Sequence, residues 1–291
     1  MTRSMSLRGL LLAVASMAVG CGLEAPARGT PLGGAPLGVA RARFEVRARP
    51  LDLLAVDVFF PADAGGAALP VEGGRPALVY VQGGAVPSAD YHWLARVLAA
   101  AGYVVAVPSV ASQLALFSVD DGEAARWLLV DPPRGSVLEG LVDPSRVAVA
   151  GHSLGGVVAG KLALGGGFRA LLLHASFTDP ADDARLPGLG MPVLSLGGTA
   201  DCSALLGSVR EGYGKLPSPA GLVLLEGVGH FQFTSQAETD RGRGCAPGVA
   251  LEAAHDAIAR TSRAFLDVAL SGRPLTVDGL SLVPGAKVEA K

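Results

Sequence analysis

Arg146-Val147-Ala148-Val149-Ala150 runs directly into Gly151-His152-Ser153-Leu154-Gly155-Gly156, and an Ala-, Gly-, Val- and Leu-rich segment follows over residues 157–164. This is the pattern of a buried strand, a sharp turn and a helix. A serine on such a turn sits in a crowded backbone conformation, so the residues two before and two after it must lack a Cβ if strand and helix are to approach. Gly151 and Gly155 meet that demand. Spacing alone carries little weight, because a chain with 40 Gly in 291 residues supplies roughly a third of a chance match to Gly-x-Ser-x-Gly. The strand before it and the helix after it make Ser153 a candidate nucleophile rather than a bystander in a glycine-rich turn, with His152 supporting the turn from within.

Outward from this turn, strands and helices alternate. Residues 42–48 and 53–60 read as two early strands forming an antiparallel edge, closed by Pro61 and the Gly65-Gly66 loop. Residues 77–82 are short and almost wholly apolar, as a buried parallel strand is. A Gly-Gly loop, a helix over 89–101 started by Ser88 and an apolar strand over 103–107 come next. A helix around 121–129, the turn with its strand and helix, and strands at 170–174, 193–196 and 221–226 continue the series. An amphipathic helix over 249–270 ends it, stopped by Gly272 with Pro274 beyond. The order predicts an α/β fold, a mostly parallel central sheet covered by helices on both faces.

Beyond the turn, Asp201 and His230 each stand just past a predicted strand, giving the chain order Ser153, Asp201, His230. Over about residues 42–270 this resembles the α/β-hydrolase superfamily, in which nucleophile, acid and histidine follow in that sequence. Within it the chain is most similar to exported serine esterases of the dienelactone hydrolase, chlorophyllase and polyester hydrolase type. The resemblance implies a single domain and an acyl-enzyme route: His230 takes the Ser153 proton and Asp201 orients the imidazole. It also implies an oxyanion hole formed by the backbone N–H of Leu154 and one from Gly84 or Ala85. Many relatives carry His-Gly where this chain has Gln82-Gly83.

Other residues compete for these roles and read as structural. Asp179, Asp182 and Asp183 come one strand too early for the acid and suit loop or helix-capping positions. His174 ends a strand, His255 falls within the last helix, and His92 and Trp93 begin the helix after the glycine loop. Residues 175–191, where a cap domain would enter, span only a loop's length. Phe177, Phe231 and Phe233 either line the site or pack in the core. No paired Cys or His spacing suits a metal, and no phosphate or dinucleotide loop stands in its proper place, so no metal and no cofactor are expected.

A net charge of −2, with 24 basic and 26 acidic residues, argues against nucleic acid or an anionic membrane surface as partner. A small-molecule or polymeric ester is the expected partner, and the protein is expected to be a monomer. The apolar run over residues 9–19 is too short to span a bilayer. With Arg3 and Arg8 before it and Ala18-Val19-Gly20-Cys21 after it, it reads as a bacterial lipoprotein signal peptide over 1–20, with Cys21 lipidated. A flexible tether over 21–40, the domain over 41–272 and a tail over 273–291 complete the division. The expected location is the periplasm or the outer membrane, with ordinary secretion as the alternative. Cys202 and Cys245 remain as an even pair, which suits an exported disulfide. The competing readings are a catalytically silent binding lipoprotein, and a hydrolase of amides or thioesters using the same three residues.

Overall fold

A computed structural model of the chain describes residues 36–49, 52–109, 119–236, 240 and 245–291. Residues 1–20, read as a signal peptide, Cys21 and most of the stretch read as a tether lie outside them. Nine strands form one sheet: β1 (Gly38–Arg49), β2 (Asp52–Ala62), β3 (Arg75–Val81), β4 (Val104–Ser109), β5 (Val142–His152), β6 (Leu171–His174), β7 (Val193–Gly198), β8 (Ala220–Leu225) and β9 (Lys287–Ala290). Their spatial order is β1-β2-β4-β3-β5-β6-β7-β8-β9. From β4 through β8 all neighbours run parallel. β1 and β2 form the antiparallel edge that their alternation predicts.

The inner strands are buried on both faces, which is why they read as continuous apolar runs. Every residue of β6, β7 and β8 is buried. Helices α1 (His92–Ala100), α2 (Val119–Val130), α3 (Leu154–Gly165), α4 (Leu206–Lys215) and α5 (Leu251–Ala269) surround the sheet. α1 packs on α5, and α2 packs on α3. The chain passes from β3 to β4 on one side and then crosses back over β3 to β5. Right-handed crossovers of opposite direction put their helices on opposite faces of the sheet. The same reversal opens a crevice between the carboxyl ends of β3 and β5, where ligands bind in open α/β sheets.

Three differences from the sequence reading stand out. β1 begins at Gly38, inside the stretch read as a tether, because residues 38, 39 and 40 pair with Ala62, Pro61 and Phe60 of β2. The segment beyond 272 is no loose tail: β9 pairs antiparallel with β8, closing the edge that β8 would leave open. Helix α4, absent from the sequence reading, buries only Val209 and Tyr213. No helix among the described residues is long and apolar enough to cross a membrane.

Candidate active site

Val81 pairs with Gly151, His152 with His174 and Gly198 with Leu225. The ends of β3, β5, β6, β7 and β8 are thereby aligned, and the loops leaving them share one rim of the sheet. Ser153 follows β5 and caps α3 at φ 53° and ψ −125°, a conformation rare for a residue with a Cβ and kept only where its surroundings dictate it. Its amide donates to the His174 carbonyl at 3.0 Å and its own carbonyl accepts from the Gly156 amide at 2.9 Å. The Ser176 hydroxyl donates to that same carbonyl at 2.6 Å. A Cβ on Gly151 would run into the Gly155 carbonyl, and one on Gly155 into the carbonyls of Val81 and Gln82. Both glycines are required because β3, β5 and α3 meet backbone to backbone.

Leu154, the first residue of α3, presents one of the amides that a helix leaves without an internal partner. The other expected donor belongs to the loop after β3. There the Gly83 amide is committed to the Tyr91 hydroxyl at 2.8 Å, which leaves Gly84 and Ala85 as candidates. Ala85 takes φ 58°, a second uncommon conformation at this rim.

Asp201 and His230 stand in the loops after β7 and β8. Asp201 Oδ2 lies 2.8 Å from His230 Nδ1, and both residues are buried, at 7% and 3% exposure. The other carboxylate oxygen accepts the amides of Ser203 and Ala204, each at 2.8 Å. A carboxylate oxygen in this place suits a ring that carries a proton on Nδ1, and Nε2 is the ring nitrogen that Asp201 does not engage. The two loops are tied to each other: the Ala200 amide donates to the Val228 carbonyl at 3.0 Å, and the Gly227 amide to the Thr199 hydroxyl at 2.9 Å. Cys202, beside Asp201, is disulfide-bonded to Cys245, with Cα atoms 6.3 Å apart.

The turn that carries Ser153 meets the histidine loop through His152. Its ring centroid is 4.6 Å from that of His230, and its Nε2 is 3.1 Å from the His230 carbonyl oxygen. The remaining histidines are engaged elsewhere. His174 lies between the Tyr80 hydroxyl (2.9 Å) and the Ser262 hydroxyl (3.0 Å), where burial pushes its pKa down to about 3. His255 stacks on Trp93 with ring centroids 3.6 Å apart. His92 stands 3.4 Å from the buried Asp57 carboxylate.

The early acids pair with lysines of α3 and α4. Asp179 caps a 3₁₀ segment, Pro180–Gly188, by accepting the Ala181 amide at 2.9 Å, and Lys161 pairs with Asp179 at 2.7 Å and Asp182 at 2.9 Å. Asp183 pairs with Lys215 at 2.8 Å. Among the aromatics, Phe231 and Phe233 are buried in the core, whereas Phe177 is only half-buried.

A model of the alpha/beta hydrolase family matches residues 77–246, from β3 past the histidine loop. The chain belongs to the alpha/beta hydrolase family. A search of curated proteins finds no match. In this hydrolase the family match spans the glycine loop, the elbow, Asp201 and His230 together. Two residues at the site escaped the sequence reading. Asp240, 1% exposed, accepts the Phe231 amide at 2.8 Å and so braces the residue after His230; burial raises its pKa. Tyr91 joins Gly83 to His152, whose Nδ1 is 3.0 Å from the hydroxyl. Neither had a motif to mark it, because each acts through a partner outside its own helix or strand pattern: Phe231 nine residues before Asp240, and Gly83 and the distant His152 for Tyr91.

Proposed function

We propose that this hydrolase is an exported serine esterase that cleaves carboxylic esters through an acyl-enzyme, with Ser153 as nucleophile, His230 as general base and then acid, and Asp201 as its orienting carboxylate. The reading rests on one observation above the others: a buried Asp201–His230 pair at 2.8 Å, set against the elbow that carries Ser153. Attack on the ester carbonyl forms the bond from Ser153 Oγ to carbon while the hydroxyl proton passes to His230 Nε2. The negative charge moves to the carbonyl oxygen, where the amides of Leu154 and of Gly84 or Ala85 would receive it. Collapse expels the alcohol with the proton from His230, and water then repeats the sequence on the acyl-enzyme. Asp201 keeps the imidazole in the useful tautomer and stabilises the imidazolium without taking the proton.

The interval after β6 holds a single 3₁₀ segment rather than a cap domain, which favours access by bulky or polymeric esters. The disulfide favours an oxidising location, and with the N-terminal signal it supports an exported, lipid-anchored protein. Hydrolysis of p-nitrophenyl butyrate and octanoate, measured beside Ser153→Ala, tests the reading. Loss of turnover by at least about 10³-fold in the variant supports it; equal rates in the two proteins defeat it.

A further inference from the structure

We propose that Tyr91 and His152 form a hydrogen-bonded relay that fixes the oxyanion loop against the loop carrying His230, making both positioning residues for the reaction at Ser153. The inference rests on the serine-esterase reading and adds to it a device that holds two parts of the machinery at a set separation.

The direction of every bond in the relay follows from its two ends. At one end the Gly83 amide can only donate, and it does so to the Tyr91 hydroxyl oxygen at 2.8 Å. At the other the His230 carbonyl can only accept, so His152 Nε2, 3.1 Å away, carries a proton. Burial holds the His152 pKa well below the usual histidine range, so its ring is neutral and Nδ1 has no proton of its own. Nδ1 therefore accepts from the Tyr91 hydroxyl at 3.0 Å. The chain reads Gly83 N–H to Tyr91 O–H to His152 Nδ1, then His152 Nε2–H to the His230 carbonyl. Each interior group both donates and accepts once, and Tyr91 and His152 are both 0% exposed.

The packing around the relay is specific. A Cβ on Gly83 would stand 2.9 Å from both His152 Nδ1 and the Tyr91 hydroxyl, so the glycine at this position makes room for the relay. A second buried series, Tyr80 to His174 to Ser262, has similar chemistry but ends on the Ile258 carbonyl inside α5. That series ties β3 and β6 to a helix, whereas the first ties the loop after β3 to the loop after β8. The separation of those two loops matters because a displacement of about 1 Å between reacting groups can cost roughly 10² in rate. A neutral His152 also adds no second positive charge beside His230 when that residue takes the serine proton.

Steady-state hydrolysis of p-nitrophenyl butyrate tests the relay in the full chain. Tyr91→Phe removes one oxygen and keeps the ring; kcat is expected to fall by about 10-fold or more while KM changes less than about 3-fold. His152→Gln keeps an amide N–H for the His230 carbonyl and an amide oxygen for Tyr91, whereas His152→Leu keeps neither. The Gln variant is expected to exceed the Leu variant in kcat by at least about 5-fold, a recovery that filling space alone would not produce. A Tyr91→Phe enzyme within 2-fold of the parent kcat overturns the relay, and so does a Gln variant no faster than the Leu variant. If Tyr91→Phe does not fold, the His152 pair decides. A parent no faster than Ser153→Ala overturns the esterase reading and the relay together. That result is distinct from an active parent matched by Tyr91→Phe, which removes the relay alone.

Discussion

Asp240 Oδ2 accepts the backbone amide of Phe231 at 2.8 Å, so the loop that presents His230 is held by a second buried carboxylate besides the one that meets its ring. The approach is close: a Cβ on Gly229 would stand 2.5 Å from that same oxygen. Replacing Asp240 with Ala orphans a buried amide, which costs about 1–3 kcal/mol. Asp240→Asn keeps an acceptor and is expected to lose less than half as much. Urea denaturation of both variants checks the order; equal losses would mean that the carboxylate oxygen does not brace the loop.

Asp201→Asn tests the tautomer argument. An amide nitrogen turned toward Nδ1 favours the wrong imidazole tautomer while leaving the packing in place, and turnover is expected to fall by about 10⁴-fold. Thermal melting should change little. A variant that keeps a tenth of parental turnover would show that this pair does not set the base.

Burial depresses the pKa values of His152, His174 and His255. The folded protein keeps the His152 and His174 rings neutral and disfavours the charged form of His255, while the unfolded chain protonates them near their ordinary value of about 6.5. Stability from this source is therefore undiminished above about pH 6.5 and falls as pH drops below it, toward the folded-state values. Each histidine that stays neutral contributes a loss of about 2 kcal/mol between pH 7 and pH 5. Asp240, whose pKa is raised by burial, works in the opposite sense. Urea titrations at the two pH values should show a lower stability at pH 5; no change, or a rise, would contradict the assignment.

The disulfide joins Cys202, beside Asp201, to Cys245, whose amide donates to the Asp240 carbonyl at 3.0 Å. Cross-linking over 43 positions restricts the unfolded chain by about 4 kcal/mol in the chain-entropy account. The Cys202→Ala, Cys245→Ala pair is expected to lose about 2–4 kcal/mol by denaturant titration. A loss below about 0.5 kcal/mol would show that the bond adds nothing to the fold.

What the sequence made legible follows from where each signal resides. The buried stretches of β3 to β8 are short and mostly apolar, in β5 only from Val147 onward, and Ser153, Asp201 and His230 each stand a few residues beyond one of them, so fold and candidate triad can be read together. Gly151 and Gly155 are legible for the same reason, since the close approach they permit is between neighbours in the motif. Helix α4 is not, because Gly207, Gly212 and Gly214 weaken its pattern, and Gly212 is there to let Phe177 pack against it. β9 is four residues of half-buried and exposed side chains, and only its pairing with β8 makes it a strand. Asp240 and Tyr91 look like any loop acid and any helix-start tyrosine until the partners at Phe231, Gly83 and His152 come beside them.

The central claim is that Ser153 is an activated nucleophile, and covalent labelling tests it most directly. The folded protein is treated with a fluorophosphonate, digested and mapped by mass spectrometry, with Ser153→Ala treated alongside. One adduct on the peptide carrying Ser153, absent from the variant, is the predicted result. No adduct, or an adduct on another residue that persists in Ser153→Ala, would contradict the account.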